Sequence, residues 1–413
     1  MKTTAVIAEY NPFHTGHMYQ LQEARRLSDA DFIVVLMSGD FVQRGAPAVM
    51  EKRLRARAAL MNGADLVLEL PVCWSTGSAQ DFAAGAVSLL AKSQVIDVLS
   101  FGCECSSLQP ISALARLFLD EPEEYKTHLR ENLAAGLSFP EARSKAAAAY
   151  LGSDQYAGLL KKPNTILGIE YCKAVQLFHS SMKLLPVPRR GAEEREQTLN
   201  GEYASASAVR NAILDSAAND ADSDWLSYMP ENMHDEITGT YRQSWPSSFD
   251  DYSLLLFSKL LDATEEDLSC IYDIPPQLAS RITHMRNSFR TCSDFAGSIK
   301  AKNYTYTRVS RAMTHLLLDI TDESIVNFKN AGYTEYATIL GFREEALPLL
   351  SAIKKKNGIK LLPKPLRDES LSPVFRRMLA QDIQASQLYQ AVLSQKYSLP
   401  FRDEYTRQLI TIE

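Results

Sequence analysis

Hydrophobic residues in the first hundred positions gather into four short runs, at residues 5–8, 32–37, 66–70 and 95–101. Continuous apolar runs of that length predict strands buried on both faces of a parallel sheet. Between them, residues 18–27, 50–61 and 82–92 place apolar side chains at helical intervals, each stretch long enough for about three turns. Strand and helix in alternation predict a doubly wound α/β fold. A helix over 165–177, a strand over 182–187 and a small-residue helix start over 205–214 extend the pattern. The first domain is expected to span residues 1–215.

Beyond that point Leu254, Leu255, Leu260 and Leu261, then Leu316, Leu317 and Ile320, keep helical spacing, broken at Pro230, Pro246, Pro275 and Pro276. Residues 216–413 are therefore expected to be mainly helical. The whole chain carries 44 basic and 50 acidic residues, a net charge of −6, which excludes a generally basic nucleic-acid coat. That total hides a strong polarity. Residues 215–273 hold fourteen acidic side chains against Arg242 and Lys259, whereas residues 281–311 hold Arg281, Arg286, Arg290, Lys300, Lys302, Arg308 and Arg311 against Asp294 alone. Asn287, Phe289, Asn303, Tyr304 and Tyr306 are interleaved with those cations, the mixture suited to phosphate contacts and stacking on unpaired bases. The competing expectations are a solvated face, or docking of the basic segment against the acidic one.

At 46% hydrophobic and 23% charged, 413 residues can fill real cores, on the order of two to three domains at about 150 residues each. No run approaches the roughly 18 apolar residues of a membrane helix, and Met1-Lys2-Thr3-Thr4 leads into the first strand without a signal-peptide layout. A soluble, cytoplasmic protein is the expectation. Six cysteines include Cys103-x-Cys105 but no Cys-x-x-Cys, which predicts reduced, mostly buried thiols.

The segment most able to carry chemistry, Glu9-Tyr10-Asn11-Pro12-Phe13-His14-Thr15-Gly16-His17, lies between the first strand and the first helix. A helix N-terminus there presents unpaired N–H groups and a partial positive charge, and Gly16 is expected to let a phosphate approach. His14 and His17 can then donate to the oxygens of one triphosphate as its α-phosphorus becomes five-coordinate. A metal site is disfavoured, because no third or fourth ligand accompanies the pair at suitable spacing. A second segment, Ser205-x-Ser207-x-Val209-Arg210, sets hydroxyls and a guanidinium at a helix start, where Ser207 and Arg210 can grip phosphate. Asp40 and Arg44 follow the second strand and are expected to point into the same crevice. Arg44 is suited to a substrate carboxylate and Asp40 to orienting it, the alternative being a structural Asp40–Arg44 pair that holds the loop. Lys52 and Arg53 open a helix at the end where cations are unfavourable, which suggests either a nearby anion or simple exposure.

His-x-Gly-His and Ser-x-Ser-x-Val-Arg at opposite ends of one α/β domain resemble the paired signatures of the nucleotidylyltransferase superfamily, implying a Rossmann-like fold. A narrower resemblance rests on residues 9–14, Met37-Ser38-Gly39-Asp40-Phe41-Val42-Gln43-Arg44-Gly45-Ala46-Pro47-Ala48, residues 63–71, Ser100-Phe101-Gly102 and Pro163-Asn164-Thr165-Ile166-Leu167-Gly168. Together these are similar, over the whole chain, to the tRNA(Met) cytidine acetate ligase family. The resemblance implies activation of acetate by ATP as acetyl-adenylate, and transfer of the acetyl group to N4 of the wobble cytidine of elongator tRNA(Met). It also implies an ATP loop formed by Ile7, Ala8, Glu9, Tyr10, Asn11, Pro12, Phe13, His14, Thr15, Gly16, His17, Met18, Tyr19 and Gln20, with further contacts from Gly102, Asn164, Arg189 and Arg190. Magnesium is expected to arrive with ATP, held by phosphates rather than by a protein cage. The residues alone leave two other classes open: an adenylyltransferase for a small cofactor, and a non-catalytic RNA-binding protein.

Overall fold

The apolar runs of the first hundred residues do form strands, and their neighbours explain why alternation is absent from them. The computed structural model describes the chain except residues 106, 190–197, 200, 202, 220–223, 302 and 364–369. Among the described residues the strands are β1 (Thr3–Ala8), β2 (Phe32–Ser38), β3 (Phe41–Val42), β4 (Ala46–Pro47), β5 (Leu66–Leu70), β6 (Val98–Cys103), β7 (Lys183–Pro188), β8 (Tyr336–Arg343), β9 (Lys360–Leu362) and β10 (Ile410–Ile412). One sheet runs β10-β8-β5-β2-β1-β6-β7, with β9 beside β8, while β3 and β4 form a small hairpin. Pairings from β5 through β7 are parallel, and β8 joins β5 antiparallel.

Both faces of the sheet are covered. Ala5, Ile7, Val34 and Leu36 enter one core, whereas the intervening Val6, Ile33, Val35 and Met37 enter the other. Period-two side chains thus feed two apolar layers, so each strand reads as an unbroken hydrophobic run. Helices Thr15–Ser28, Lys52–Met61 and Ala206–Asn219 supply buried residues to the second layer, and Ala79–Ser93 and Pro163–Leu177 to the first.

The part after residue 215 is mainly helical, but it also returns three strands to the sheet, which the helical spacing of its leucines does not foretell. Its helices Ser253–Asp262, Pro276–Met285, Cys292–Ile299 and Tyr306–Leu317 pack into the first layer. On Ser253–Asp262 the buried residues are Leu256 and Leu260, while Leu254, Leu255 and Leu261 are exposed. All six cysteines are free thiols, four of them buried. No helix among the described residues is long and apolar enough to cross a membrane.

The sheet order sets the place of the site. From β1 the chain steps to β2 on one side and later to β6 on the other, and such a reversal opens a crevice at the carboxyl ends of the strands.

Candidate active site

The loop leaving β1 enters helix Thr15–Ser28 through a reciprocal cap made by two histidines. His14 Nδ1 accepts from the Gly16 N–H at 3.0 Å, and His17 Nδ1 accepts from the His14 N–H at 3.3 Å. An acceptor nitrogen carries no proton, so the neutral rings hold theirs on Nε2. The two rings lie 3.8 Å apart between centroids. Burial, with the charge of Arg189, lowers His14 to about 3; burial, His14 and Arg189 together hold His17 well below its ordinary value. Both imidazoles are therefore neutral donors at physiological pH. His14 Nε2 is buried and has no hydrogen-bond partner in the protein, although its side chain lines a cavity of about 480 Å³.

Gly16 has a purpose that its sequence context does not suggest. A Cβ there would stand 2.8 Å from His14 Cε1, so glycine makes room for the capping imidazole. Within the same loop, Asn11 Oδ1 accepts from the Val49 N–H at 2.8 Å and Glu9 Oε1 accepts from the Gln43 N–H at 2.9 Å. These bonds tie the loops after β1 and β2 together. Ile7, Ala8, Glu9, Tyr10, Asn11, His14, His17 and Gln20 line the cavity, and Gly16 and Tyr19 line a side pocket continuous with it. Phe13 is buried in the core with Tyr10, at 4.8 Å between ring centroids, and Pro12, Thr15 and Met18 are not among the lining residues.

On the β6 and β7 side stand Gly102, Asn164 and Arg189. A Cβ at Gly102 would lie 3.6 Å from Arg189 and 3.7 Å from Gln20, ordinary contact distances on the cavity wall. Asn164 donates to Glu104 Oε1 at 2.7 Å, and Thr165 donates to Glu104 Oε2 from its N–H and its hydroxyl. Burial alone would raise the Glu104 carboxyl, but these bonds and Arg189 hold it below its usual range. Arg190 lies outside the described residues. Ser207 and Arg210 reach the cavity from helix Ala206–Asn219, where Arg210 donates to the Asn11 carbonyl at 2.8 Å and to Ser207 Oγ at 3.3 Å.

On the β2 side the structure brings Arg44 to the cavity but not Asp40. Asp40 is buried and accepts from the Lys52 N–H at 2.8 Å, which makes it a helix-start anchor. Its carboxyl is raised by burial against the pull of Lys52 and Arg55. The anion suggested by Lys52 is a pair of carboxylates from the chain itself: Lys52 Nζ meets both oxygens of Glu69 at 2.9 Å and Glu404 at 2.9 Å, and it is buried. Arg53 donates to the Gln408 carbonyl at 2.6 Å.

Of the basic segment, Arg311 and Thr307 also line the cavity. Arg308 and Arg311 share Asp273, each at 3.1 Å. Arg281 donates to the Ile299 carbonyl at 2.8 Å, and Arg286 donates to the Leu260 and Ala263 carbonyls at 3.3 and 3.2 Å, closing the end of helix Ser253–Asp262. Arg290 and Lys300 are exposed, and Lys302 lies outside the described residues. The segment is thus not one continuous basic strip, because protein carbonyls and Asp273 use part of its donors.

Arg55 and Glu104 are organising residues that the sequence patterns do not single out. Fully buried Arg55 donates to the carbonyls of Glu9 at 2.7 Å, Ser38 at 3.1 Å and Met50 at 2.9 Å, and to that of Gly39. One of three arginines inside Lys52-Arg53-Leu54-Arg55-Ala56-Arg57, it carries no signal beyond its position on the apolar face of the helix. No group of three or more His, Cys, Asp or Glu side chains placed to hold a metal ion occurs among the described residues.

This geometry coincides with a family assignment. The HIGH Nucleotidyl Transferase family model matches residues 1–403. A tRNA(Met) cytidine acetate ligase of Acetivibrio thermocellus is 34% identical, over 99% of this chain and all of the relative. The chain belongs to the tRNA(Met) cytidine acetate ligase family. A further family member, from Caldanaerobacter subterraneus, is 35% identical over 94% of this chain and 95% of its own. The crystal structure of apo Thermotoga maritima TmcAL superposes with a TM-score of 0.91 at 29% identity, covering all of both chains. The same protein bound with alpha-thio ATP gives 0.87 at 28% identity.

Proposed function

We infer that this chain is an ATP-dependent tRNA(Met) cytidine acetate ligase acting through acetyl-adenylate. The observation that carries this reading is the histidine pair: two neutral imidazoles, held by Nδ1 in a mutual cap, keep Nε2–H donors at a helix N-terminus in the switch-point crevice. An acetate oxygen attacks the α-phosphorus, the bond to the bridging oxygen breaks, and pyrophosphate leaves with that electron pair. Nε2–H donors at His14 and His17 and the helix N-terminus stabilise charge that grows on the phosphoryl oxygens, without transferring a proton. Cytidine N4 then attacks the acyl carbon, AMP leaves, and the amine proton is lost to solvent.

Gly102, Asn164 and Arg189 supply the nucleoside side of the crevice, and Ser207 and Arg210 a phosphate contact. Magnesium accompanies ATP on its phosphates and offsets their charge. Residues 1–215 bind ATP, and residues 216–413 hold elongator tRNA(Met), with exposed Arg290 and Lys300 meeting its phosphates while Thr307 and Arg311 reach the crevice. The proposed tRNA substrate supports a cytoplasmic enzyme. Incubation with ATP labelled at the α-phosphate, with and without acetate and tRNA(Met), tests the reading. Acetate-dependent acetyl-AMP, discharged to AMP by tRNA, is expected. Labelled product that forms without acetate would overturn it.

A further inference from the structure

We propose that Arg311, together with Arg44, is the acetate-binding wall of the crevice, its guanidinium taking the carboxylate while the methyl group rests against Phe82 and Ala79. This deepens the ligase reading and rests on it.

The sheet order separates the two ends of the site. The histidine loop follows β1; Gly102 near the end of β6 and Arg189 just after β7 stand on one side, and Arg44, in the β3–β4 hairpin beyond β2, on the other. The side pocket bounded by Gly102, Arg189 and Tyr203 shares the histidines with the main cavity but contains neither arginine of the opposite wall. In-line displacement needs the incoming oxygen at the α-phosphorus opposite the leaving pyrophosphate, in space that the nucleoside contacts do not crowd. The β2 side is where that space lies.

Arg311 is brought there by a close contact between two segments distant in sequence. Gly45 has φ +72°, and a Cβ on it would collide with the backbone of Ser310 and Arg311. Ser310 Oγ donates to the Gly45 carbonyl at 2.8 Å, which locks the loop carrying Arg44 onto helix Tyr306–Leu317. Both arginines then line one wall with Ala79 and the buried Phe82.

Asp273 orients Arg311 without satisfying it. Its carboxylate is divided between Arg308 and Arg311, so two guanidiniums share one negative charge. Arg311 spends a terminal nitrogen on Asp273, yet its Nε is buried and has no hydrogen-bond partner in the protein. A guanidinium fixed by Asp273 and lining the cavity beside Ala79 and Phe82 fits a small carboxylate bearing one methyl group.

The test is acetate-dependent pyrophosphate release, measured with tRNA(Met) present, in the full-length protein and its Arg311→Lys, Arg311→Ala and Asp273→Asn variants. Arg311→Lys is expected to raise the acetate KM at least tenfold while moving the ATP KM less than twofold. Arg311→Ala should regain part of its activity with added guanidinium ion. Asp273→Asn, which loosens the positioning of Arg311, should show a weaker form of the same split. Arg311→Lys keeps the charge and so remains informative if Arg311→Ala fails to fold. An unchanged acetate KM in Arg311→Lys overturns the proposal, as does an equal rise in the ATP KM, which would make Arg311 a nucleotide-phosphate contact. A changed tRNA affinity alone would return it to the tRNA surface, again overturning it. Wild-type protein that releases no pyrophosphate with acetate would instead defeat the ligase reading itself.

Discussion

His14 and His17 do two jobs with one ring each, since Nδ1 caps the helix and Nε2 is left to donate. Replacing either by Ala removes a donor aimed at charge that develops only in the transition state. Pyrophosphate release should fall by about 10²-fold or more, near 2.7 kcal/mol, with kcat falling more than the ATP KM rises. Normal kcat in both variants would separate the pair from the chemistry. Their depressed pKa values make a second prediction. With His14 at about 3 when folded and 6.5 when unfolded, the unfolded chain binds the extra proton between those values. Stability from these groups is fully present above about pH 6.5 and is lost as pH falls toward about 3. The rate, by contrast, should show no histidine limb near pH 6.5, because the donor form persists throughout. A limb near 6.5 that disappears in His17→Ala would contradict the neutral-donor assignment.

Elements succeed or fail in sequence according to how local their causes are. The first strands and helices are legible because a strand buried on both faces is a continuous apolar run, and a covering helix keeps its own period. His14, His17, Ser207 and Arg210 are legible because helix starts announce themselves in a few consecutive residues. β8, β9 and β10 are not, since β8 joins the sheet against β5 from over 250 residues away, and the short β9 and β10 form only on β8. Asp40 reads as a crevice residue for want of its partner: nothing near it in sequence shows that the Lys52 N–H lies above it. The same non-local logic governs the loop holding Arg44. Gly45→Ala puts a Cβ on a residue at φ +72° and against the backbone of helix Tyr306–Leu317. It should cost more than about 1 kcal/mol in chemical denaturation and raise the acetate KM by separating the two arginines. A variant of wild-type stability and acetate KM would show that the loop and helix are not coupled.

At the scale of the whole molecule, charge does two kinds of work, and the formal totals distinguish neither. One is internal. Burial opposes the Lys52 charge, but Glu69, Glu404 and Asp40 hold its ammonium above the usual range, and the contact with both Glu69 oxygens is that of an ion pair. Lys52 thereby joins β5 to the C-terminal segment at Glu404, and Ser386 of helix Pro373–Lys396 accepts from the same ammonium at 2.7 Å. Lys52→Met leaves Glu69 buried without its partner and Glu404 with Arg53 alone, an expected loss of about 3–5 kcal/mol, with hydrogen exchange rising first around residues 404–408. Wild-type exchange there would mean that the segment is held by its other contacts. The second kind of work is external, and the same accounting of partners decides which cations can perform it. Arg286 is committed to the carbonyls that end helix Ser253–Asp262, so Arg286→Glu should chiefly destabilise the fold. Arg290 and Lys300 are exposed, and reversing both should weaken tRNA(Met) binding and flatten the dependence of log affinity on log salt by about 1 to 2, one counterion for each phosphate no longer neutralised. Acetyl-adenylate formation should be unaffected, because neither residue lines the crevice. Filter binding across a salt series measures this directly. An unchanged slope at full stability would assign the basic segment to the interior of the protein, its remaining cations answering the acidic stretch as Arg308 and Arg311 answer Asp273, and tRNA would then have to be gripped by another face.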